Sequence, residues 1–249
     1  MKADFFAVYE ALTSGVTSEA PVTALAAGER WSMAEAGEGL GLGMATPGSS
    51  IPPVYPSGLK GLPLCEAAKA AASWNLEEAS LGLAAANAFY NTPERMEALG
   101  AYQPFELYYT EGIDLRDRIV GIVGHMNGPP GLRDLAKAVY VLERVPQSGD
   151  YPDSACDWLL PRCDLVLITG STLVNKTLPH LLELCEKAYT ILTGPSVPMC
   201  PELLELGIDR LAGLVVTDRK QMAAHIREGR RGSPYGCGKS FLLKVKTSG

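Results

Sequence analysis

The sequence is poor in the groups that bind metals or carry out nucleophilic catalysis. It has three histidines and six cysteines, and the cysteines are scattered without a C-x-x-C pair. Neither H-E-x-x-H nor G-x-S-x-G occurs, so neither a zinc-protease site nor a nucleophile elbow is predicted. A metal site built from protein ligands alone is therefore poorly supported.

Positive charge and long apolar runs are also scarce. The chain has 22 Lys and Arg against 28 Asp and Glu, a formal net charge of -6, which argues against nucleic acid as a partner. No apolar run approaches the roughly 18 residues of a membrane-spanning helix, and no secretory signal follows Met1. We expect a cytoplasmic protein without nucleic-acid or membrane partners. The sequence does not decide whether the chain forms a homo-oligomer.

The clearest organisation in the chain lies in residues 118–145. A nearly continuous β-branched run at 119–123 is typical of a strand buried on both faces of a parallel sheet. A loop carrying Gly124, His125 and Gly128 follows, then a helix beginning near Leu132, and then a second strand that ends on Glu143. An acidic residue at such a strand end can bind ribose hydroxyls. The glycine spacing departs from G-x-G-x-x-G, so the sequence does not decide whether a dinucleotide cofactor binds here.

Polar residues also follow the next two predicted strands. After residues 163–168 come a glycine, hydroxyls and the start of a helix, a combination that favours binding of an anion or a hydroxyl group. The residues concerned are Thr169, Gly170, Ser171, Thr172 and Asn175. Gly194, Pro195 and Ser196 follow the fourth strand. They either terminate it or form a second wall of the same crevice.

The first part of the chain has a different pattern. A helix at 3–13 precedes short extended segments between residues 22 and 44, and two helices follow at 64–73 and 76–90. Residues 39–44 alternate glycine with Leu or Met, so one strand face is bare backbone on which another element must pack closely. Asn75 is the predicted N-cap of the second helix, with Glu78 in the reciprocal capping-box position. Ser80 and Asn87 lie on one side of that helix, either as buried polar groups or as a wall of a site.

These patterns predict two domains with a cleft between them. Residues 92–117, which carry prolines and glycines, form the predicted boundary. We expect a small α+β domain at 1–105 and a Rossmann-like α/β domain with a parallel sheet at 106–249. Ligands of open α/β sheets bind at the carboxyl ends of the strands, and the Ser80 and Asn87 side of the first domain is expected to close over that site.

Residues 164–177, DLVLITGSTLVNKT, resemble a motif of a prokaryotic family of putative heavy-metal chelation proteins. Residues 78–88, 120–124, 143–144 and 194–196 are also similar to its motifs, in order along nearly the whole chain. The resemblance implies a first domain similar to the enolase N-terminal fold, a Rossmann-like second domain and a shared cleft. The loop at 125–128 departs from the Phe- and Pro-bearing loop of that family.

Three functions stay open from the sequence. The leading one is a cleft that binds a small polar or anionic ligand, either a small molecule or a metal complex, and serves heavy-metal chelation or the metabolism of a chelator. The second is a transferase or oxidoreductase that uses an adenosine-containing cofactor, S-adenosylmethionine or NAD, bound on Glu143. The third is a non-catalytic carrier of a divalent heavy metal.

Overall fold

The computed structural model describes residues 4–37, 39–46, 51–105, 110–126, 128–229 and 233–245. It contains a three-stranded antiparallel sheet and a seven-stranded, mostly parallel sheet, which confirms the predicted α/β class. The strands are β1 (Val22–Ala27), β2 (Trp31–Ala36), β3 (Gly39–Met44), β4 (Ile119–Val123), β5 (Ala138–Glu143), β6 (Tyr151–Pro152), β7 (Leu165–Thr169), β8 (Tyr189–Thr193), β9 (Arg210–Val216) and β10 (Gly238–Lys244). The helices are α1 (Phe5–Ser14), α2 (Leu64–Lys69), α3 (Leu76–Tyr90), α4 (Pro93–Leu99), α5 (Leu132–Leu135), α6 (Cys156–Leu159), α7 (Ser171–Val174), α8 (Leu178–Leu184) and α9 (Arg219–Arg227). Of these, none is long and apolar enough to cross a membrane.

The glycines of β3 allow helix α3 to lie directly on the small sheet. A Cβ atom added to Gly41 would come within 2.1 Å of the Ala84 carbonyl oxygen, and one added to Gly43 within 2.0 Å of the Ser80 carbonyl oxygen. Because carbonyl groups of a helix cannot move aside as a flexible side chain can, any larger residue would push the helix off the sheet. The predicted close packing on the bare face of this strand is therefore confirmed.

The start of α3 follows only half of the predicted capping box. The Glu78 N–H donates to Asn75 Oδ1 at 3.1 Å, as expected for the N-cap. The Glu78 carboxylate does not return to the Asn75 N–H, which donates instead to Ser73 Oγ at 3.1 Å. It accepts the N–H groups of Val54 and Tyr55 at 2.9 and 2.7 Å. The capping-box prediction for Glu78 is thus wrong, because the carboxylate binds a preceding loop.

The large sheet has a reversal of strand order at its centre. Its order is β10-β9-β8-β7-β4-β5-β6, and all neighbours are parallel except β10, which lies at one edge and runs antiparallel to β9. The chain runs outward from β4 to β6 and then returns to place β7 on the other side of β4. Connections therefore leave the carboxyl ends of β4 and β7 in opposite directions, which opens a crevice there.

Two helical segments of the second half, near residues 132–139 and 171–185, are shorter than the spacing of their apolar residues indicates. Helix α5 ends at Leu135, because Ala136 is extended and the Lys137 N–H already pairs with the Arg118 carbonyl. The helix predicted after residue 170 is divided into α7 and α8, with Lys176 at a φ of 69° between them. Lys176 is not glycine but has left-handed backbone angles, which do not belong to a right-handed helix. The helix is therefore interrupted at this residue.

The two sheets share an apolar interface. Met33 and Leu42 of the small sheet pack in one cluster with Leu214, Met222 and Ile226 of the second half. The predicted boundary at 92–117 is not a simple loop, since it contains α4 and since the backbone of Tyr102 bonds with that of Leu242 at 3.1 and 2.8 Å. Residues 106–109 of this boundary lie outside the described residues, and the division at 105/106 stays a prediction.

Candidate functional site

Two adjoining cavities lie at the carboxyl ends of the central parallel strands. The wide lobe has a volume of about 810 Å³ and the narrow lobe about 330 Å³. Both are lined by Arg30, Met44, His125, Met126 and Thr169. The wide lobe continues to Trp31, Gln103, Thr193, Pro195, Tyr235 and Lys239, and the narrow lobe to Glu143, Arg144, Asp153, Ser171, Asn175 and His180. Together the two lobes form a cleft between the edge of the small sheet and the strand ends of the large one.

The floor of the cleft is formed where β4, β7 and β8 end. Gly124 has a φ of 98°, and a Cβ atom there would lie 2.6 Å from Thr169 Cγ2, so a glycine is required. Thr169 pairs in register with Thr193 at the end of β8. Thr193 lines the wide lobe, but its hydroxyl oxygen is enclosed by the protein and has no hydrogen-bond partner among the described residues. A buried hydroxyl without a partner is unusual.

Glu143 fixes the loop that follows β4. Its Oε2 accepts the His125 N–H and its Oε1 accepts the Arg144 N–H, both at 2.7 Å. Each carboxylate oxygen keeps acceptor capacity beyond these bonds, so the group can still bind a ligand hydroxyl. Gly128 lies apart from the two lobes and lines a further cavity of about 430 Å³ beside His125. Asn127, in the same loop, lies outside the described residues.

The corner after β7 differs from the predicted helix N-terminus. Helix α7 has four residues, so its dipole is small. The Gly170 N–H donates to the Thr193 carbonyl at 3.0 Å, and the Thr172 hydroxyl to the Thr169 carbonyl at 2.7 Å. What the corner presents to the narrow lobe is a set of polar side chains, with Ser171 Oγ 3.4 Å from Thr169 Oγ1.

The polar side of α3, which carries Ser80 and Asn87, lies in the interface between the sheets and does not line the two lobes. Asn87 Nδ2 donates to the carbonyls of Leu42 and Ser196 at 2.6 and 2.9 Å, and Asn87 is fully buried. Ser80 is also fully buried, and its hydroxyl has no partner among the described residues. Gly170 and Ser196 lie at this same interface, where a Cβ on Gly170 would meet Ser196 Oγ at 3.0 Å. Gly194 and Pro195, by contrast, line the wide lobe.

The small sheet contributes residues to the cleft that the sequence did not single out. Arg30 and Trp31 lie at the turn between β1 and β2, and Met44 lies at the end of β3. The only signal in the sequence was a charged and an aromatic residue among the predicted extended segments, which alone indicates only exposure. Their position over the large sheet depends on how the two sheets dock.

The two lobes differ in charge. Arg30 and Lys239 line the wide lobe together with Trp31 and Tyr235, and its described lining includes no Asp or Glu. In the narrow lobe, basic side chains lie beside acidic ones. Arg144 Nε lies 3.9 Å from Asp153 Oδ2, and His180 Nε2 lies 3.0 Å from Asp157 Oδ1. The wide lobe is therefore the part of the cleft that favours an anion.

The side chains present do not fit a metal bound by protein ligands alone. Within the described ranges, no group of three or more His, Cys, Asp or Glu side chains is placed to hold a metal ion. Burial raises the pKa of the Cys156 and Cys163 thiols to about 11 and that of Cys185 and Cys200 to about 12. Since the thiolate is the form that binds metals, these four cysteines are poor ligands at neutral pH.

Comparisons with known proteins cover nearly the whole chain. Two family models, both described as putative heavy-metal chelation, match residues 9–90 and 112–239. An uncharacterized protein of Methanocaldococcus jannaschii is 30% identical over 184 residues, which is 70% of this chain and 69% of that protein.

Two solved structures are similar to this fold. A protein of unknown function from the DUF364 family of Desulfitobacterium hafniense DCB-2 superposes with a TM-score of 0.84 at 35% identity, covering 96% of this chain and 98% of the other. A DUF364 family protein of unknown function from Pyrococcus horikoshii has a TM-score of 0.73 at 22% identity, covering 98% and 100%. The second likeness concerns the fold alone.

Proposed function

The chain belongs to the putative heavy-metal chelation family, and we propose that it binds a small anionic, hydroxyl-bearing ligand in the cleft between its two sheets. The observation that carries this proposal is the pair of adjoining lobes at the strand-order reversal, one cationic and one rich in hydroxyl groups. Ligand sites of open α/β sheets lie at this point of the fold.

The two lobes suit different parts of one ligand. An acidic group enters the wide lobe, where Arg30 and Lys239 supply positive charge. A planar group can lie against Trp31 or Tyr235 in the same lobe. A hydroxyl-bearing part extends into the narrow lobe toward Glu143 and Ser171.

In this proposal a heavy metal is bound by the small ligand and not by side chains of the protein. Buried thiols of raised pKa do not support a cage made by the chain itself. We therefore assign the metal-binding groups to a small chelator, its precursor or its metal complex. The non-catalytic metal carrier is the weaker reading.

A nucleotide-cofactor enzyme is the second candidate, and Glu143 is the observation that favours it. This carboxylate ends β5, the strand beside β4, where acidic residues of dinucleotide-binding folds hold ribose hydroxyls. Glu143→Gln should then weaken an adenosine-containing ligand by about 1 to 3 kcal/mol. Titration calorimetry measures this change, and an unchanged affinity would remove the role of Glu143.

A thermal-shift panel tests the proposal and separates the candidates. It should contain nucleotides, NAD, S-adenosylmethionine, small carboxylate chelators with and without divalent metal, and the metals alone. An anionic ligand at about 100 times its Kd stabilises the fold by about 2.7 kcal/mol, which raises Tm by roughly 5 to 10 °C at this chain length.

The matched control for the panel is a pair of lysine variants. Lys239→Met should remove most of the shift, whereas Lys220→Met, at an exposed site on α9, should keep it. Stabilisation by free metals alone would contradict the proposal and favour the metal carrier.

A further inference from the structure

His125 and Asp150 lie side by side at the edge of the cleft, in an arrangement that the cleft's binding role leaves unexplained. We propose that they form a proton-transfer pair, in which Nε2 of His125 takes a proton from a hydroxyl or N–H group of the bound ligand. His125 is then a catalytic residue and Asp150 a positioning residue. The inference rests on the proposed function, because it requires a ligand in the cleft.

The geometry of the pair fixes which nitrogen carries the proton. His125 Nδ1 lies 3.1 Å from Asp150 Oδ2, and the same oxygen accepts the Gln147 N–H at 2.9 Å. The Asp150 side chain is 6% exposed, whereas that of His125 is 49% exposed. A carboxylate can only accept hydrogen bonds, so Nδ1 must donate and the neutral ring keeps its free electron pair on Nε2.

The remaining nitrogen is available to the cleft. With Nδ1 directed at buried Asp150, ring geometry turns Nε2 away from that carboxylate, and the side chain of His125 lines both lobes. Nε2 has no hydrogen-bond partner among the described residues. The backbone on which the ring sits is held by the bond from the His125 N–H to Glu143. A base positioned by a buried carboxylate is the arrangement used in general acid–base catalysis.

The other two histidines lack this arrangement. His180 has carboxylates near both nitrogens, Asp157 at 3.0 Å from Nε2 and Glu183 at 4.0 Å from Nδ1. His225 has a buried Nε2 and lies outside the two lobes. His125 alone of the three combines an oriented ring with an open nitrogen in the cleft.

The proposed step is a proton transfer without a change in oxidation state. The proton of the ligand's O–H or N–H bond moves to Nε2, and the electron pair of that bond stays on the ligand oxygen or nitrogen. Asp150 stabilises the imidazolium that forms, and the proton later leaves from the exposed edge of the ring to water or to the product. Positioned bases of this kind contribute roughly 10² to 10⁴-fold to the rate of a reaction.

Ring NMR of the ¹⁵N-histidine-labelled full chain tests the orientation directly. In its neutral form, identified by its own ¹⁵N shifts, the His125 ring should carry its proton on Nδ1. Asp150→Asn is unsuitable, since its carbonyl oxygen could still accept both the Gln147 N–H and Nδ1–H. In Asp150→Ala the acceptor of Nδ1 is lost, so the proton should be found mainly on Nε2, as in free neutral imidazole. A purely structural role for Asp150 would leave the tautomer unchanged.

Carbethoxylation by diethyl pyrocarbonate, read by peptide mass spectrometry, provides the second measurement. This reagent attacks an unprotonated ring nitrogen, so His125 should react several-fold faster in the wild-type chain than in Asp150→Ala, in which the exposed Nε2 mostly carries the proton. His180 in the same samples is the internal control and should react equally in both. If Asp150→Ala does not fold, the wild-type tautomer decides the question.

A wild-type His125 protonated on Nε2, or equal His125 reactivity in the two chains, would overturn the pair. Neither measurement uses a cleft ligand. A failed ligand panel combined with the expected tautomer would therefore count against the proposed function and leave the orientation of the pair intact.

Discussion

Asn91 provides the most quantitative test of how the two sheets are joined. Its side chain is 3% exposed and crosses from the end of α3 to the second half of the chain. Nδ2 donates to the carbonyls of Val197 and Leu214 at 2.9 and 3.1 Å, and Oδ1 accepts the Met199 N–H at 2.9 Å. One amide thus satisfies three backbone groups of the other half.

Replacement of Asn91 by Ala should destabilise the whole fold. A buried group left without a partner costs about 1 to 3 kcal/mol. Because a water molecule can occupy part of the space that the Asn91 side chain leaves, we expect a total loss of about 3 to 5 kcal/mol. At this chain length that loss lowers Tm by roughly 6 to 20 °C. Urea unfolding and calorimetry measure the two quantities.

Two further variants separate the hydrogen bonds from the loss of volume. Asn91→Asp keeps the size of the side chain but turns a carboxylate oxygen toward two carbonyls, and it should cost at least about 2 kcal/mol. Asn75→Ala, which removes a half-buried N-cap, should cost about 1 kcal/mol. If Asn91→Asp were neutral, or if Asn91→Ala cost no more than Asn75→Ala, the argument from the three bonds would be refuted.

Three other predictions concern the packing of the fold. Burial lowers the pKa of Lys176 to about 7 from 10.5, so between these values the unfolded chain binds a proton that the folded chain does not, and stability rises with pH. Lys176→Met should flatten this rise in urea midpoints compared at pH 7 and pH 9, and an unchanged slope would argue against a buried neutral amine. Gly41→Ala should cost more than about 3 kcal/mol because its Cβ meets helix backbone, whereas Gly236→Ala, with nothing within 4 Å, should be nearly neutral in the same melts. Limited proteolysis should cut residues 92–117 first beside Phe105, which is 93% exposed, and cuts confined to the termini would contradict this.

Local patterns carried most of the fold prediction. The β-branched run of β4 and the glycine alternation of β3 each depend on a few neighbouring residues, so the strands and the packing of α3 were visible in the sequence. The end of α5 could not be predicted from the sequence, because the helical spacing of Leu132, Leu135, Ala136 and Val139 continues into β5. The backbone hydrogen bond from the Lys137 N–H to the Arg118 carbonyl sets that boundary. These two residues are far apart in sequence, so a pattern of neighbouring residues does not show the bond.

The candidate site was predictable only in part, for the same reason. The segments carrying Gly124, Glu143 and Thr169 follow buried strands, so their convergence follows from parallel-sheet topology. Arg30 and Trp31 reach the cleft through the docking of two sheets that are far apart in sequence. Asn87 was expected to face the cleft because a polar group on an Ala-rich helix needs a partner. It finds the Ser196 carbonyl inside the interface instead.

The central claim is that the cleft binds a small anionic ligand between the two sheets. A crystal structure of the full chain soaked with the most stabilising compound of the thermal-shift panel tests it most directly. We predict the anionic group beside Arg30 or Lys239 in the wide lobe and a hydroxyl group beside Glu143 in the narrow lobe. A ligand bound elsewhere on the surface, with only solvent in both lobes, would contradict the claim.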